Sequence, residues 1–187
     1  MGSSTSSILT DEILEEYSML TYLSKPEILK LYKTFSTLDE NGLLQNLQFR
    51  FPCAIIEQLF PPVQFNPFKD RIFKVFSSLK DDKFSFEDML DFCSVMSENC
   101  PDTVKAAWAF NIFDFDEDDE IGENDMVELI NRLAIGVGFI KLEDCQQIIK
   151  VLLKGINFTT SGTIGPLEFE NAIQKMPEFS HSFCFRL

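Results

Sequence analysis

Apolar residues recur along the chain at three- and four-residue spacings. Short stretches rich in Asp, Asn, Gly and Ser interrupt them. That pattern predicts helices joined by polar loops and very little strand. Residues 11–20 read as a first helix, with Thr10 as N-cap and Asp11 and Glu12 in its first turn, where negative charge meets the positive end of the dipole. Residues 26–38 read as a second, opened by Pro26 and carrying Ile28, Leu31, Tyr32 and Phe35 on one face. Residues 39–52 read as a loop and 53–60 as a short helix ended by Pro61-Pro62. Helices are then expected at about 66–76, 86–97, 101–113, 124–134, 142–155 and 167–176, with polar breaks at 77–83 and 114–122 and an aromatic tail at 177–187.

The breaks share one geometry. Before Asp114 the positions one, four, five and eight residues back are Phe113, Phe110, Ala109 and Ala106; after Asp125 the same offsets forward give Met126, Leu129, Ile130 and Leu133. Around a loop running from Asn157 to Glu168 the corresponding sets are Ile156, Leu153, Leu152 and Ile149, then Phe169, Ala172, Ile173 and Met176. Every one of these places is apolar. Two helices with inward stripes flanking a twelve-residue loop are what a pair of EF-hands requires. The template also fits a loop at 77–88, with Ile72, Phe73 and Phe76 before it and Met89, Phe92, Cys93 and Met96 after it; a loop starting at Ser36 keeps only the first half. The fold class expected is therefore all-α: a two-lobed EF-hand protein of four helix–loop–helix units, the two N-terminal hands degenerate. The lobes are expected at 26–99 and 100–176, between an N-terminal extension (1–25) and the tail.

The third loop carries the chemistry. Asp114, Asp116 and Asp118 stand at loop positions 1, 3 and 5, Glu120 at position 7 offers its backbone carbonyl, Gly122 at position 9 leaves room for water, and Asp125 closes position 12. Hard divalent cations take six to eight such oxygens. Ile121 at position 8 is expected to pair, as a short strand, with Ile164 of the fourth loop. Two departures shape the site. Position 6, usually Gly, is Asp119, which enters the left-handed region at a cost of roughly 1 kcal/mol. Position 12 is Asp rather than Glu, and the shorter arm lowers the coordination number toward six, which suits Mg²⁺. One ion, Ca²⁺ or Mg²⁺, is expected there.

The fourth loop keeps the shape and loses the charge. Gly162 is at position 6, Ile164 at 8 and Glu168 at 12, but Asn157, Thr159 and Ser161 replace the acidic ligands, with Thr163 at position 7. Neutral oxygens compensate poorly for dehydrating a divalent ion, so this loop is expected to be a structural partner, empty or weakly binding. The second loop (Ser77, Leu79, Asp81, Lys83, Asp88) and the first (Ser36, Leu38, Glu40, Gly42) show no ligand series and are expected not to bind.

Charge narrows the partners. The 187 residues hold 30 Asp and Glu against 16 Lys and Arg, a net charge of −14, which disfavours nucleic acid and unaided attraction to anionic lipid. The 20 Phe argue for a packed core and for apolar partners. The five scattered Cys and single His181 form neither a disulfide framework nor a zinc motif, and read as thiols of a reducing cytosol. No apolar run reaches the ~18 residues of a membrane span, and the first residues lack a signal peptide's charged and apolar regions. They read MGSSTS, which fits the N-myristoylation pattern at Gly2. No catalytic triad, Cys-His pair or phosphate-cradling glycine loop is present, so no enzyme activity is expected.

The chain resembles the calcium- and integrin-binding proteins (calmyrins), EF-hand proteins related to the calcineurin B subunit. The residues that carry the likeness are YSMLTYLSKPEIL (17–29), NPFKDRIFKVFS (66–77), FSFEDMLDFCSVMS (84–97), AFNIFDFD (109–116) and PEFSHSFCFRL (177–187). The resemblance implies ion binding confined to the third and fourth loops and N-myristoylation at Gly2. It also implies a Ca²⁺/Mg²⁺-dependent adaptor that binds amphipathic helices, such as the membrane-proximal cytoplasmic tails of integrin α subunits, at a cytoplasmic and partly membrane-associated location. A hydrophobic groove takes such helices, and Leu133, Ile149, Leu152, Leu153, Ile173 and Met176 are its candidate lining. The C-terminal segment, with Phe179, Phe183, Phe185 and Leu187, is expected to act as a lid over it. The alternatives are a calcium buffer, or a largely constitutive, calcium-insensitive structural subunit of a membrane protein complex.

Overall fold

The Thr10 hydroxyl accepts the N–H of Ile13 and starts α1, Asp11–Leu20. In this computed structural model, which describes residues 9–39, 47–134, 138, 140–155, 162–176, 178, 179 and 183, α2 follows at Lys25–Ser36. Its first turn is closed by the Glu27 carboxylate, which accepts from both the N–H and the hydroxyl of Ser24. Strand β1 (Phe51–Pro52), α3 (Cys53–Ile56), a 3-10 turn and α4 (Pro61–Gln64) come next. The short helical stretch ends at Leu59, capped by Phe60, ahead of Pro61-Pro62 as expected, and those prolines in turn begin α4, since a first helical turn needs no N–H from them. Then come α5 (Lys69–Phe76), β2 (Lys83–Phe84), α6 (Phe86–Val95), α7 (Asp102–Phe113), α8 (Glu123–Leu133), α9 (Leu142–Gly155) and α10 (Pro166–Ile173). Among the described residues the protein is all-α apart from β1, β2 and one bridge, and no helix is long and apolar enough to cross a membrane.

Two units partition the chain. The first takes the described residues up to Gln64 together with Phe76–Cys100; the second takes Phe65–Val75 together with the described residues from Pro101 to Phe183. This division differs from the expected lobe boundaries. Residues 11–20, expected in the N-terminal extension, group with the first unit: Tyr17 packs edge-on against Phe86 at 6.0 Å and donates to Glu87 at 2.9 Å. Residues 65–75, expected with the N-terminal lobe, group with the second unit because Asp70 and Arg71 pair with α8 and the third loop.

The first unit is built on phenylalanine. Phe35 and Tyr32 of α2 meet Phe86, Phe35 also meets Phe51, and Phe92 receives Phe60 and Phe76 at ring separations of 5.1–5.5 Å. Edge-to-face packing suits the ring quadrupole and adds to area burial. β1 and β2 pair antiparallel, with Phe51 opposite Phe84. The strand that joins the first two hands thus lies at Phe51, well beyond the segment opened at Ser36.

In the second unit Phe110, Ile121, Met126, Ile130, Cys145, Ile149 and Ile164 form the buried core, with Phe113, Leu153 and Phe169 packed against it. Ile121 and Ile164 exchange backbone hydrogen bonds of 2.9 and 3.1 Å, the pairing expected from their loop positions.

Candidate functional site

α7 ends at Phe113, with Asp114 as its C-cap, and α8 begins after Gly122, so the loop between them presents its carboxylates from two helix ends. Asp114, Asp116 and Asp118 each bring one carboxylate oxygen to within 4.8 Å of the others; Asp114 is buried, the other two exposed. Backbone amides organise the cluster. Asp114 Oδ1 accepts from Glu117 (2.8 Å) and Asp118 (3.3 Å), and Oδ2 from Asp119 (3.1 Å). Asp118 Oδ1 accepts the N–H of Glu120 at 2.9 Å. Buried Asp125 ties the loop's two ends, Oδ1 to the N–H of Phe115 and Oδ2 to that of Gly122, each at 2.9 Å.

The backbone strain falls where the sequence put it, and in one further place. Asp119 takes φ 66°, and Glu117 takes φ 61°. Loss of hydration followed by the charges of Asp125, Asp118 and Asp114 holds the Asp116 carboxyl above its usual pKa. The donor set is oxygen throughout and rich in carboxylates, which fits a hard cation and not a soft one.

Two arginines support the loop, and sequence reasoning gave neither a role. Buried Arg71 donates from Nη2 to the carbonyls of Asn111 (2.8 Å) and Asp114 (2.5 Å) and from Nε to that of Ile112 (3.3 Å). It thereby satisfies the carbonyls at the negative end of α7. Its Nη1 pairs with Glu117 at 3.1 Å, and Lys74 reaches the same carboxylate at 2.7 Å. Arg132 of α8 pairs with Asp70 and Glu128, and its guanidinium carbon lies 4.7 Å from the centre of the Phe115 ring; that of Arg71 lies 5.7 Å from the same centre. Phe115, at loop position 2, is thus held by two cation–π contacts. The available signal was the pair Asp70-Arg71 inside NPFKDRIF, whose partners lie some forty to sixty residues away.

Of the fourth loop, Asn157, Thr159 and Ser161 lie outside the described residues. Thr163 and Glu168 lie within them, and Gly162 takes φ 79°. A Cβ at Gly165 would stand 2.6 Å from Glu168 Oε2, so a bare position 9 lets the position-12 carboxylate fold back over the start of α10. Gly2, His181, Phe185 and Leu187 also lie outside the described residues.

Beside the third loop opens an apolar cavity of about 530 Å³. Leu133, Leu152, Leu153, Ile173 and Met176 line it, as do Phe113, Ile121 and Met126 at the ends and centre of the loop. Ile149 does not line it; its side chain is taken up in the core beside Cys145 and Ile164. Leu133, Leu152 and Met176 are exposed, at 60%, 47% and 48% of their surface. Phe179 and Phe183 border the same cavity, with their rings stacked 5.4 Å apart.

No protein-family model matches the chain. Curated relatives do. The sequence is 32% identical to the Drosophila melanogaster calcium and integrin-binding family member 2 over 184 residues, which is 95% of this chain and 96% of that protein. It is 31% identical to the human family member 2 and 30% identical to the human family member 3, each over 186 residues, 96% of this chain and 97% of the relative.

Proposed function

The chain belongs to the calcium and integrin-binding family of EF-hand proteins, and from that premise we propose that it is a calcium- and magnesium-binding regulatory adaptor for amphipathic helices of partner proteins. One observation carries the reading: an all-oxygen carboxylate cluster and an open apolar cavity share the same helix ends. Phe113 and Met126, which flank the loop directly, line the cavity. The side chains of Asp114, Asp116, Asp118 and Asp125 and the carbonyl of Glu120 would hold one divalent cation, with water at Gly122. Such an ion supplies positive charge to carboxylates that otherwise repel one another. In the fourth loop Asn157, Thr159, Ser161, Thr163 and Glu168 make a weak or empty partner.

The partner helix would bury apolar anchors among Leu133, Leu152, Leu153, Ile173 and Met176. The relatives' name points to integrins, whose membrane-proximal α-subunit tails would be such helices. Phe179 and Phe183 would act, together with the sequence positions Phe185 and Leu187, as the lid that a target displaces. Myristoylation at Gly2 would add reversible membrane contact, too weak alone for stable anchoring. The Arg71 and Asp114 hydrogen bonds, which shape the loop from within the chain, favour a second reading in which the clamp is largely constitutive and the ion range of switching narrow.

Calorimetric titration of Ca²⁺ and Mg²⁺ into the wild type and Asp114→Ala tests the metal site; identical traces remove it. Capture of the chain on an immobilised integrin α-tail peptide, with and without chelator, tests the adaptor. Equal and strong retention supports the constitutive form, and no retention in either condition overturns both.

A further inference from the structure

The second loop, 77–88, lacks a ligand series, yet its backbone repeats that of the third. Left-handed residues stand at positions 4 and 6 of both: Lys80 (φ 50°) and Asp82 (φ 56°) in one, Glu117 (φ 61°) and Asp119 (φ 66°) in the other. Position 12 ties both loops in the same way. Asp88 Oδ1 accepts the N–H of Ser78 at 3.1 Å and Oδ2 that of Ser85 at 2.9 Å, as Asp125 does with Phe115 and Gly122. Bulky residues in the left-handed region are costly, so something must hold this shape.

That something is Arg50. Its Nη2 donates to Ser77 Oγ (3.1 Å), Asp81 Oδ1 (2.8 Å) and the carbonyl of Lys83 (2.7 Å). Its Nη1 donates to Asp88 Oδ2 (2.7 Å) and Ser78 Oγ (3.0 Å), and Nε to Asp81 Oδ2 (3.3 Å). Ser77, Asp81, Lys83 and Asp88 are loop positions 1, 5, 7 and 12. These are the positions from which an EF-hand addresses its cation, and position 7 acts through its carbonyl, as there. The strand register delivers the side chain: Phe51 pairs with Phe84 at position 8, and the Cys53 N–H donates to the Asp82 carbonyl at 2.9 Å, which sets Arg50 at the loop's mouth. The charges match too. The hydrogen bond to Asp81 is the largest influence on the guanidinium and raises its pKa, and the same bond lowers that of Asp81.

We propose that the Arg50 guanidinium is the resident cation of the second EF-hand, seated on the loop's metal-ligand positions so that this hand keeps a loaded shape with no metal. A planar guanidinium with five donors meets carboxylates, hydroxyls and a carbonyl at once. The hand therefore serves as a fixed support for the first unit, and its shape does not follow the concentration of divalent ions. This holds whether or not the third loop takes an ion.

The test uses the full chain with the third loop silenced by Asp114→Ala and Asp118→Ala. In that parent, the Arg50 Nε–H resonance is expected to be resolved, slow to exchange with water and unmoved by millimolar Ca²⁺. Adding Arg50→Met is expected to lower the thermal midpoint by about 5–10 °C. Millimolar La³⁺, a hard cation that takes carboxylate oxygens, then raises the midpoint of the Arg50→Met chain by several degrees more than that of the parent. A rapidly exchanging Arg50 resonance, an unchanged midpoint or an equal La³⁺ response in both chains overturns the proposal. If Arg50→Met does not fold, the resonance of the parent decides.

Discussion

Arg71 Nη2 stands 2.5 Å from the carbonyl oxygen of Asp114 and donates to it. Through that bond and those to Asn111 and Ile112, one buried side chain closes the end of α7 and fixes the first residue of the third loop. Arg71→Met keeps the aliphatic bulk and abandons three carbonyls. The expected loss is about 2–4 kcal/mol of stability, read by urea denaturation. Because partners of metal ligands set ligand orientation, ion affinity at the loop should also fall about tenfold or more. A normal denaturation midpoint in the variant would contradict the role given to Arg71.

The short arm at position 12 has a consequence for ion choice. Asp125 already spends one lone pair of each oxygen on Phe115 and Gly122. Asp125→Glu adds the methylene that lets both oxygens reach a larger ion. Calcium affinity is expected to rise about tenfold while Mg²⁺ affinity stays level or falls. Competition calorimetry gives the ratio; if it does not move, position 12 does not set the preference.

Phe179 and Phe183 border the cavity that a partner helix would fill. A chain ending at Met176 lacks them and should bind a fluorescent apolar amphipathic peptide about tenfold more tightly, since no competing conformer remains to be displaced. Anisotropy titration of the full and shortened chains reads the difference, and unchanged or weaker binding counts against self-occlusion.

Glu27 gives a pH prediction. Its carboxylate accepts from the Ser24 hydroxyl (2.6 Å) and N–H (2.8 Å), and these bonds, the hydroxyl's first, hold its pKa below the usual value. The folded chain therefore binds this proton less readily than the unfolded chain. The stabilisation is fully present above the unfolded pKa and disappears as pH falls through the lower folded one. Solvent access keeps it to about 1 kcal/mol or less. Glu27→Gln should flatten the stability curve between about pH 5 and 3 and leave its low-pH limb unchanged; denaturation across that range checks it.

Local physics explains what the sequence disclosed. α1, α7 and α9 follow from the spacing of apolar residues, and the Ile121–Ile164 bridge from the position of two aliphatics within repeated loops. Asp119 at φ 66° was legible because the loop demands that conformation whatever residue stands there. Arg50, Arg71 and Arg132 were not legible. Their acceptors lie tens of residues away in the chain, several are backbone carbonyls that no residue type signals, and each pairing exists only after the helices have packed. Ile149 shows the reverse limit. It shares its spacing with Leu152 and Leu153, but helical periodicity does not separate a core position from a cavity wall when both lie on one broad apolar face.

A charge carried on the chain itself cannot be dialysed away. Arg50 reaches Asp81 and Asp88 over a tether of fixed length, so its local concentration is set by covalent geometry and not by the surrounding medium. Treatment with EDTA, the usual means of emptying proteins of this kind, leaves that contact untouched. A sample stripped of every free ion still keeps a cation seated in its second loop.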